Sequence, residues 1–476
     1  MESKPPTYEE LVDLTRRQGR LIEELRAEVE RLKAELEQSR RAGKRQAAPF
    51  SKGLPKVAPK RPGRKAGHPP SHRPAPPPER VDRTIEVPLP STCPECHAPL
   101  SEAPVTIHDQ YQIDLPEPKP VVTRFRVPVA RCSACLRRVQ GRHPEQTSNA
   151  LGSAAVQYGP RLLGLAADLK HRLGVSYRKC SSVLLTLTGV VVASAALVRS
   201  GHRLGRLARP SYDRLVEAAR KGAVQHVDET GWKVGGRSAW LWVFADEDIT
   251  PYRIRPSRAH DVVVEVLGED FGGVLVSDCF LAYDPLPFAK QKCLAHLLKT
   301  CGEIERSKTR AAVRFSRRVA ALLRKAMALK RRRGTMGDHG YAVLRGKVHA
   351  ELDRLLAGTY TDPDNARLAK RLREQREHLL QFLDHDGVDA TNNLAEREIR
   401  PAVIARKLSA GNRTNAGAET HAVLASVLRT CRRQGRDILG SLVELLRLGP
   451  GHILALDGAS AGKAGAGAIE GSTRPG

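Results

Sequence analysis

Apolar positions recur with different periods along this chain of 476 residues. Between residues 8 and 40 they alternate in steps of three and four with charged residues on both flanks, a pattern typical of a short coiled coil. A single amphipathic helix that packs on its own domain would have the same spacing, and we favour self-association of the chain. The apolar residues of this pattern form a seam along the predicted helix, namely Leu11, Ile22, Leu25, Val29, Leu32 and Leu36.

Residues 148–220 carry the helical period, and the residues that follow carry the pattern of β-strands. Gly189 divides the helical region into two helices, which is compatible with a DNA-binding helix-turn-helix and equally with any helical hairpin. From residue 223, three segments rich in β-branched and aromatic residues alternate with Gly, Asp and Pro, which predicts three consecutive strands. "RAHDVVVEVLGED" then predicts a helix and "GGVLVSD" a buried strand, so the predicted order is β-β-β-α-β.

The second half of the chain is helical in pattern. Residues 286–385 are mostly helical and strongly basic, and another helix covers residues 391–400, where Pro401 limits its extension. The helical pattern returns over residues 416–450. Together with the strands, these segments predict an α+β multidomain protein.

Two segments have too few apolar residues to fold alone. Residues 41–90 hold many Pro, Lys and Arg, which predicts a basic linker whose "KRPGRKAGHPP" stretch suits contacts with phosphates. Residues 456–476 are rich in Gly and Ala and are predicted to be a disordered tail.

Charge narrows the range of partners. The chain has 79 Lys and Arg against 52 Asp and Glu, a formal net charge of +27, which points to nucleic acid or an anionic membrane surface. No stretch approaches the roughly 20 apolar residues that span a bilayer, and the N-terminus lacks the apolar core of a signal peptide. We therefore predict a cytoplasmic protein that associates with nucleic acid. Disulfides are rare in the cytoplasm, so the nine cysteines of the chain need another explanation.

Four of the cysteines form two Cys-x-x-Cys pairs within residues 91–140. Two such pairs supply four thiolates, the tetrahedral set that a structural Zn²⁺ prefers, and such a closed site leaves no open position for chemistry. Incidental cysteines and a redox pair are the alternatives. The predicted ligands are Cys93, Cys96, Cys132 and Cys135.

Three acids stand out as candidate ligands of a second kind of metal. Asp228 lies in the first predicted strand of the sheet, facing away from Glu229 because side chains alternate along a strand, and Asp278 lies at the end of a later strand. Glu396 lies on a helix, whereas Glu398 points to another face. Two Asp and one Glu can hold two Mg²⁺ ions, although any one of these acids alone would more often be an ordinary surface or capping residue. The polar helix face with Glu396 comprises Asn392, Asn393 and Arg400.

"HVDETGWKVGGRSAWLWVFAD", "SDCFLAYD", "CLAHLLK" and "FLDHDGVDATNNLAEREIRPAVIARKLSAGNRT" resemble the IS66 family of bacterial insertion-sequence transposases. The resemblance implies an RNase H-like catalytic domain over residues 223–415, with residues 286–385 as a helical insertion. It also implies a zinc-finger-like module before that domain, and a DDE metal site made by Asp228, Asp278 and Glu396.

The resemblance further assigns Cys293 and His296 to the Cys-x-x-His signature found after the second Asp in several such transposases. A helix packing motif explains this pair as well.

One departure from the family concerns DNA handling. Many members carry "RKNWLF" after the Glu helix, whereas this chain has "RKLSAG", so the aromatic contact is replaced by Leu408, Ser409 and Ala410. The basic residues nearby remain, and we expect them to contact phosphates. They are Arg397, Arg400, Arg406, Lys407 and Arg413.

The sequence therefore predicts a DNA transposase that cuts element ends and joins the 3′ hydroxyls to target DNA, with two Mg²⁺ (or Mn²⁺) per active site and one structural Zn²⁺. The expected partners are terminal inverted repeats, target DNA, a second copy of the chain through the coiled coil, and accessory proteins of the same element. The alternative is a catalytically inactive zinc-containing DNA-binding protein derived from a transposase. An RNA-guided nuclease with a zinc ribbon fits less well, because both cysteine pairs precede Asp228 instead of lying within the nuclease region.

Overall fold

The computed structural model describes residues 7–44, 73–100 and 106–456. These residues divide into two compact units, one with residues 7–44 and 122–456 and the other with residues 73–100 and 106–121. The "KRPGRKAGHPP" part of the predicted linker lies outside the described residues, and so does nearly all of the predicted tail. No helix within the described ranges is both long enough and apolar enough to cross a bilayer.

The predicted N-terminal helix is confirmed as α1, Tyr8–Lys44. The middle of its apolar seam is open to solvent, since Ile22, Leu25 and Val29 are 50%, 56% and 47% exposed. Apolar side chains at this spacing gain free energy when a partner covers them. Self-association through α1 remains a prediction.

The larger unit is built around a five-stranded sheet of order β5-β4-β3-β6-β7. The first three strands form an antiparallel meander, and β6 and β7 run parallel to β3. The three predicted strands, the following helix α5 (Asp261–Leu267) and the buried strand β6 are all confirmed. The strands of this sheet are β3 Val224–Val234, β4 Arg237–Ala245, β5 Tyr252–Arg255, β6 Val274–Ser277 and β7 Ala289–Lys292.

Strand β7 was not predicted, although the helices that follow it confirm that residues 286–385 are mostly helical. Its sequence is polar, yet its last three residues are buried. Lys292 Nζ lies 2.9 Å from Asp284 Oδ1, and the Gln291 amide donates to Leu379 O at 3.0 Å and accepts from Phe382 N at 2.9 Å. Burial costs these polar groups little because each has a partner.

Helices cover both faces of the sheet. On one face, Trp242 and Phe244 pack with α2, α4, α5, α12 and α13 in the largest core, and on the other face Leu241 and Val243 pack with α11 and α12. Helices α6–α10 form a third core with Val276 of β6. These helices are α2 Pro160–His171, α3 Tyr177–Thr188, α4 Ser194–Lys221, α6 Leu294–Ser307, α7 Arg314–Arg331, α8 Asp338–Leu356, α9 Pro363–Glu374, α10 Gln381–Asp384, α11 Asn393–Ser409, α12 Asn415–Arg433 and α13 Ile438–Leu448.

The predicted break at Gly189 is confirmed, because this residue ends α3 with φ 68°, a left-handed conformation that glycine adopts without strain. Helix α4 begins five residues later, so α3 and α4 form a helical hairpin. Whether this hairpin reads DNA stays a prediction.

The predicted end of the helix that carries Glu396 is wrong. Pro401 lies inside α11, which continues to Ser409. Proline removes one helical hydrogen bond, but the turns beyond it bury Ala402 and Ala405 against the sheet, where they are 7% and 6% exposed. This packing offsets the lost bond and keeps the chain helical.

Two buried histidines join α2 to α12. The Nδ1 atoms of His171 and His421 lie 3.2 Å apart, and the Trp232 ring stacks on His421 with centroids 5.5 Å apart. Burial, with a further contribution from Lys170, lowers the pKa of His421 to about 3. Burial also lowers the pKa of His171 well below 6.5, so both rings are neutral in the fold.

This pair predicts a loss of stability in mild acid. Unfolded histidines bind protons near pH 6.5 and the folded pair does not, so the free energy of unfolding should fall as pH drops from about 6.5 toward about 3. The loss should approach about 1.4 kcal/mol per pH unit for each histidine. Denaturant unfolding at several pH values should give a shallower slope for His421→Gln, whereas His339→Gln, at an exposed position, should keep the original slope. Equal slopes in all three proteins would contradict this.

Candidate active site

Asp228 and Asp278 come together because their strands are parallel neighbours. Cα pairing aligns His226 of β3 with Val276 of β6, and each acid lies two residues beyond this pair. Asp228 pairs with Val243, a residue of the core that packs against α11. Both acids therefore lie at the same level of the sheet, next to the helix that carries Glu396.

Glu396 lies in the first turn of α11, and its charge acts on Asp228, as the charge of Asp278 also does. Burial, followed by the negative charges of Glu229, Asp278 and Glu396, raises the pKa of Asp228 to about 7. The three acids singled out from the sequence therefore lie in one region of the structure, and we call Asp228, Asp278 and Glu396 the acidic cluster.

Asn392 ties this cluster together. Its Nδ2 donates to Val227 O at 2.7 Å, its Oδ1 lies 3.1 Å from His226 Nδ1, and its backbone N–H donates to Cys293 Sγ at 3.2 Å. Asn392 O accepts the backbone N–H of Glu396 at 3.1 Å. The asparagine is only 1% exposed and precedes α11, so it does not lie on a polar helix stripe as predicted but fastens the helix start to the sheet.

Cys293 and His296 border the cluster. The backbone N–H of Cys293 donates to Ser277 O at 2.8 Å, which sets the start of α6 beside Asp278. His296 Nδ1 lies 3.9 Å from Glu396 Oε1. A hydrogen bond with Cys293 is the main cause that raises the pKa of His296 to about 9, and the charges of Asp278 and Glu396 add to it.

Two other acids nearby are engaged elsewhere. Glu229, on the opposite side of β3 from Asp228, accepts the Tyr283 hydroxyl at 2.5 Å and Arg258 Nη2 at 2.8 Å. Glu398 pairs with Arg429 at 2.7 Å. Both side chains point away from the acidic cluster, as predicted, although the charge of Glu229 still acts on Asp228. The residues Tyr283 and Arg258 were missed, since their role depends on contacts between distant segments.

The predicted phosphate-contacting residues differ in exposure. Arg406 is half-buried and donates through Nη1 to Thr230 Oγ1 at 3.0 Å and to Gly231 O at 2.7 Å, so it also fastens α11 to β3. The other four are exposed, namely Arg397, Arg400, Lys407 and Arg413.

Each cysteine pair forms the same tight turn. Cys93 N donates to Ala98 O and Cys132 N donates to Arg137 O, both at 2.9 Å, and β1 and β2 flank the second turn. The residue after each pair has a positive φ, 58° for His97 and 57° for Leu136. Hydrogen bonds from backbone N–H groups lower the pKa of the Cys93 and Cys132 thiols, which favours thiolates. The largest effects come from the N–H groups of Cys96 and Cys135. Strands β1 and β2 are Val129–Arg131 and Arg138–Gln140. The shared Zn²⁺ stays a prediction.

Comparison with known proteins identifies the family. The family model "Transposase IS66 family" matches residues 155–420, which is more than half of the chain and includes all three acids. The chain belongs to the IS66 transposase family. It is also similar to the uncharacterized protein y4qI of Sinorhizobium fredii (strain NBRC 101917 / NGR234), with 26% identity over 403 residues, 77% of this chain and 72% of the relative. Membership in the IS66 transposase family implies a transposase that binds DNA and uses divalent metals.

The role of Asn392 in this IS66-family chain can be tested through stability. Asn392→Ala leaves Val227 O and the His226 ring without partners in a buried site, which should cost about 1–3 kcal/mol of unfolding free energy. The neighbouring Asn393 is exposed, so Asn393→Ala should stay within about 0.5 kcal/mol of the wild type. Chemical denaturation of the three proteins measures both values, and a similar loss at the two positions would remove the argument.

Proposed function

We propose that the chain is a DDE transposase with an RNase H-like core. The observation that carries this proposal is the meeting of Asp228, Asp278 and Glu396 beside the start of α11, where burial and the charges of neighbouring carboxylates raise the pKa of Asp228. A sheet of three antiparallel strands followed by two parallel ones, flanked by helices, supports the proposed core.

The donor set of the cluster suits Mg²⁺. Three carboxylates offer only oxygen ligands, which this hard cation prefers. The same charges that raise the pKa of Asp228 are those that a divalent cation would offset. When bound, two such ions would activate the attacking oxygen of a phosphodiester reaction and stabilise the leaving oxygen.

The residues of the chain orient the ligands and the DNA. Asp228 Oδ1 accepts the Glu229 N–H and Asp278 Oδ1 accepts the Phe280 N–H, both at 2.9 Å, so each aspartate keeps one oxygen fixed and the other open. Exposed cations on and after α11 would hold the phosphate backbone of an element end. We propose that water first frees the 3′ hydroxyls of the element, which then attack target DNA without a covalent protein–DNA intermediate.

The N-terminal modules would support assembly. We propose that α1 pairs two protomers so that two element ends meet, and that the two cysteine turns hold one structural Zn²⁺. The donor set fits this ion, because each turn offers a thiol whose pKa is lowered by backbone N–H groups.

Replacement of one aspartate tests the catalytic proposal. Asp278→Asn keeps the size of the side chain but removes a metal-binding charge, so Mg²⁺-dependent strand transfer should fall by more than about a hundredfold. Asp270→Asn, at an exposed loop position after α5, should remain near wild-type activity. Gel-shift affinity for the terminal repeats should persist in both variants. Equal strand transfer by Asp278→Asn and the wild type would exclude the DDE mechanism, whereas DNA binding without activity even in the wild type would favour the inactive DNA-binding alternative.

The zinc module has its own test. Cys93→Ser removes one of four proposed thiolates, so the purified protein should lose one zinc per chain and the region of residues 91–140 should become sensitive to protease. Elemental analysis measures the zinc, and limited proteolysis with mass spectrometry locates the cleavage. An unchanged zinc content would refute the four-thiolate site.

A further inference from the structure

A thiol, an imidazole and a carboxylate converge where α6 meets α11. Cys293 immediately precedes α6, His296 lies in the first turn of that helix, and Glu396 lies in the first turn of α11. One ligand atom from each lies within 4.8 Å of the other two. This group combines three donor types, sulfur, nitrogen and oxygen, and only Glu396 belongs to the acidic cluster.

We propose that Cys293, His296 and Glu396 form a second metal site, which prefers Zn²⁺ to Mg²⁺. Thiolate and imidazole are the ligands of a borderline-soft cation, whereas Mg²⁺ requires near-octahedral oxygen coordination. Three protein ligands would leave the fourth tetrahedral position of Zn²⁺ open to water or a phosphate oxygen.

The geometry is close to what such an ion needs. Nitrogen and oxygen ligands of tetrahedral zinc are about 3.3 Å apart, given bonds near 2.0 Å. His296 Nδ1 and Glu396 Oε1 lie 3.9 Å apart, and both side chains are about two-fifths exposed, so small rotations bring them into range. Cys293 caps the start of α6 and His296 lies in the first turn of the same helix, so both side chains start from this helix end.

The sulfur is already held as a ligand would be. Cys293 is fully buried, its backbone is bonded to Ser277 O, and its Sγ accepts the Asn392 N–H at 3.2 Å. A backbone N–H bond of this kind fixes the direction of the sulfur. The competing explanation is a hydrogen bond between His296 and Cys293 that only packs the helix start.

Zinc at this site would affect the transposase chemistry. It would draw Glu396 toward the thiolate and imidazole and away from the Asp228–Asp278 side, so we expect zinc to inhibit Mg²⁺-dependent strand transfer. This consequence rests on the proposed function, whereas the binding of zinc itself does not.

The test counts zinc bound to the full-length protein after equilibration with a zinc buffer, by elemental analysis and by competition with a chromogenic chelator. His296→Gln and Glu396→Gln each remove one ligand at a partly exposed position, so both should hold one zinc per chain fewer than the wild type. His339→Gln, an exposed histidine on α8, and Asp228→Asn should keep the wild-type count. Circular dichroism verifies that each variant is folded.

Two results would overturn the inference. A wild-type zinc count and affinity in either His296→Gln or Glu396→Gln would remove the metal site. If the wild type with zinc bound at this site transfers strands in Mg²⁺ as fast as without zinc, then zinc does not compete for Glu396. The zinc count and the activity assay test different proposals. If the DDE mechanism is wrong, only the activity assay will show it. The zinc counts, including that of Asp228→Asn, do not depend on the DDE mechanism.

Discussion

The hydrogen bonds of Asn392 are the constraint on which the candidate site depends. More than a hundred residues separate Asp278 from Glu396, and helices α6–α10 fill that interval with a core of their own. The chain must therefore return to the sheet at a defined place. Leu294 N donates to Ala390 O at 2.9 Å, which closes the base of this excursion. Two residues later, the side-chain amide of Asn392 donates to Val227 O, which sets the first turn of α11 beside Asp228.

Electrostatics distinguish the cluster from ordinary acids of this strongly basic chain. Glu229 and Glu398 each contact an arginine, whereas the hydrogen bonds described for the carboxylates of Asp228 and Asp278 come from backbone N–H groups. Burying Asp228 beside other carboxylates costs folding free energy, which is the cause of its raised pKa. A sequence with 79 Lys and Arg has many cations with which to neutralise such a group. The cost is therefore more readily explained by a function than by packing.

Sequence patterns predicted the elements whose faces alternate between core and solvent, and they missed the elements that depend on distant partners. The meander, α5, β6 and the break at Gly189 have clear local signals, because burial of one face imposes a period on the sequence. Strand β7 lacks that signal, since its buried lysine and glutamine are satisfied by Asp284 and by backbone groups of the helical excursion. The extension of α11 past Pro401 was missed for the same reason, because alanines packed on the sheet offset a local penalty. The convergence of the three acids was implied by the family resemblance, and spacing alone left each of them an ordinary residue.

Glu396 lies between the two aspartates and the Cys293–His296 pair, and this position follows from where α11 starts. A helix that starts beside a parallel strand pair presents its first turn to the strand ends, where Asp228 and Asp278 lie. The same turn also faces the start of α6, because Asn392 N–H binds Cys293 Sγ and Cys293 N–H binds Ser277 O. The Glu396 carboxylate thus lies between the oxygen ligands of the aspartates on one side and the sulfur and nitrogen of Cys293 and His296 on the other. Cations differ in their preference for these donors, so the orientation of Glu396 would depend on which metal is bound. The hydrogen bonds that assemble the acidic cluster are therefore also those that bring the Cys293–His296 pair against it.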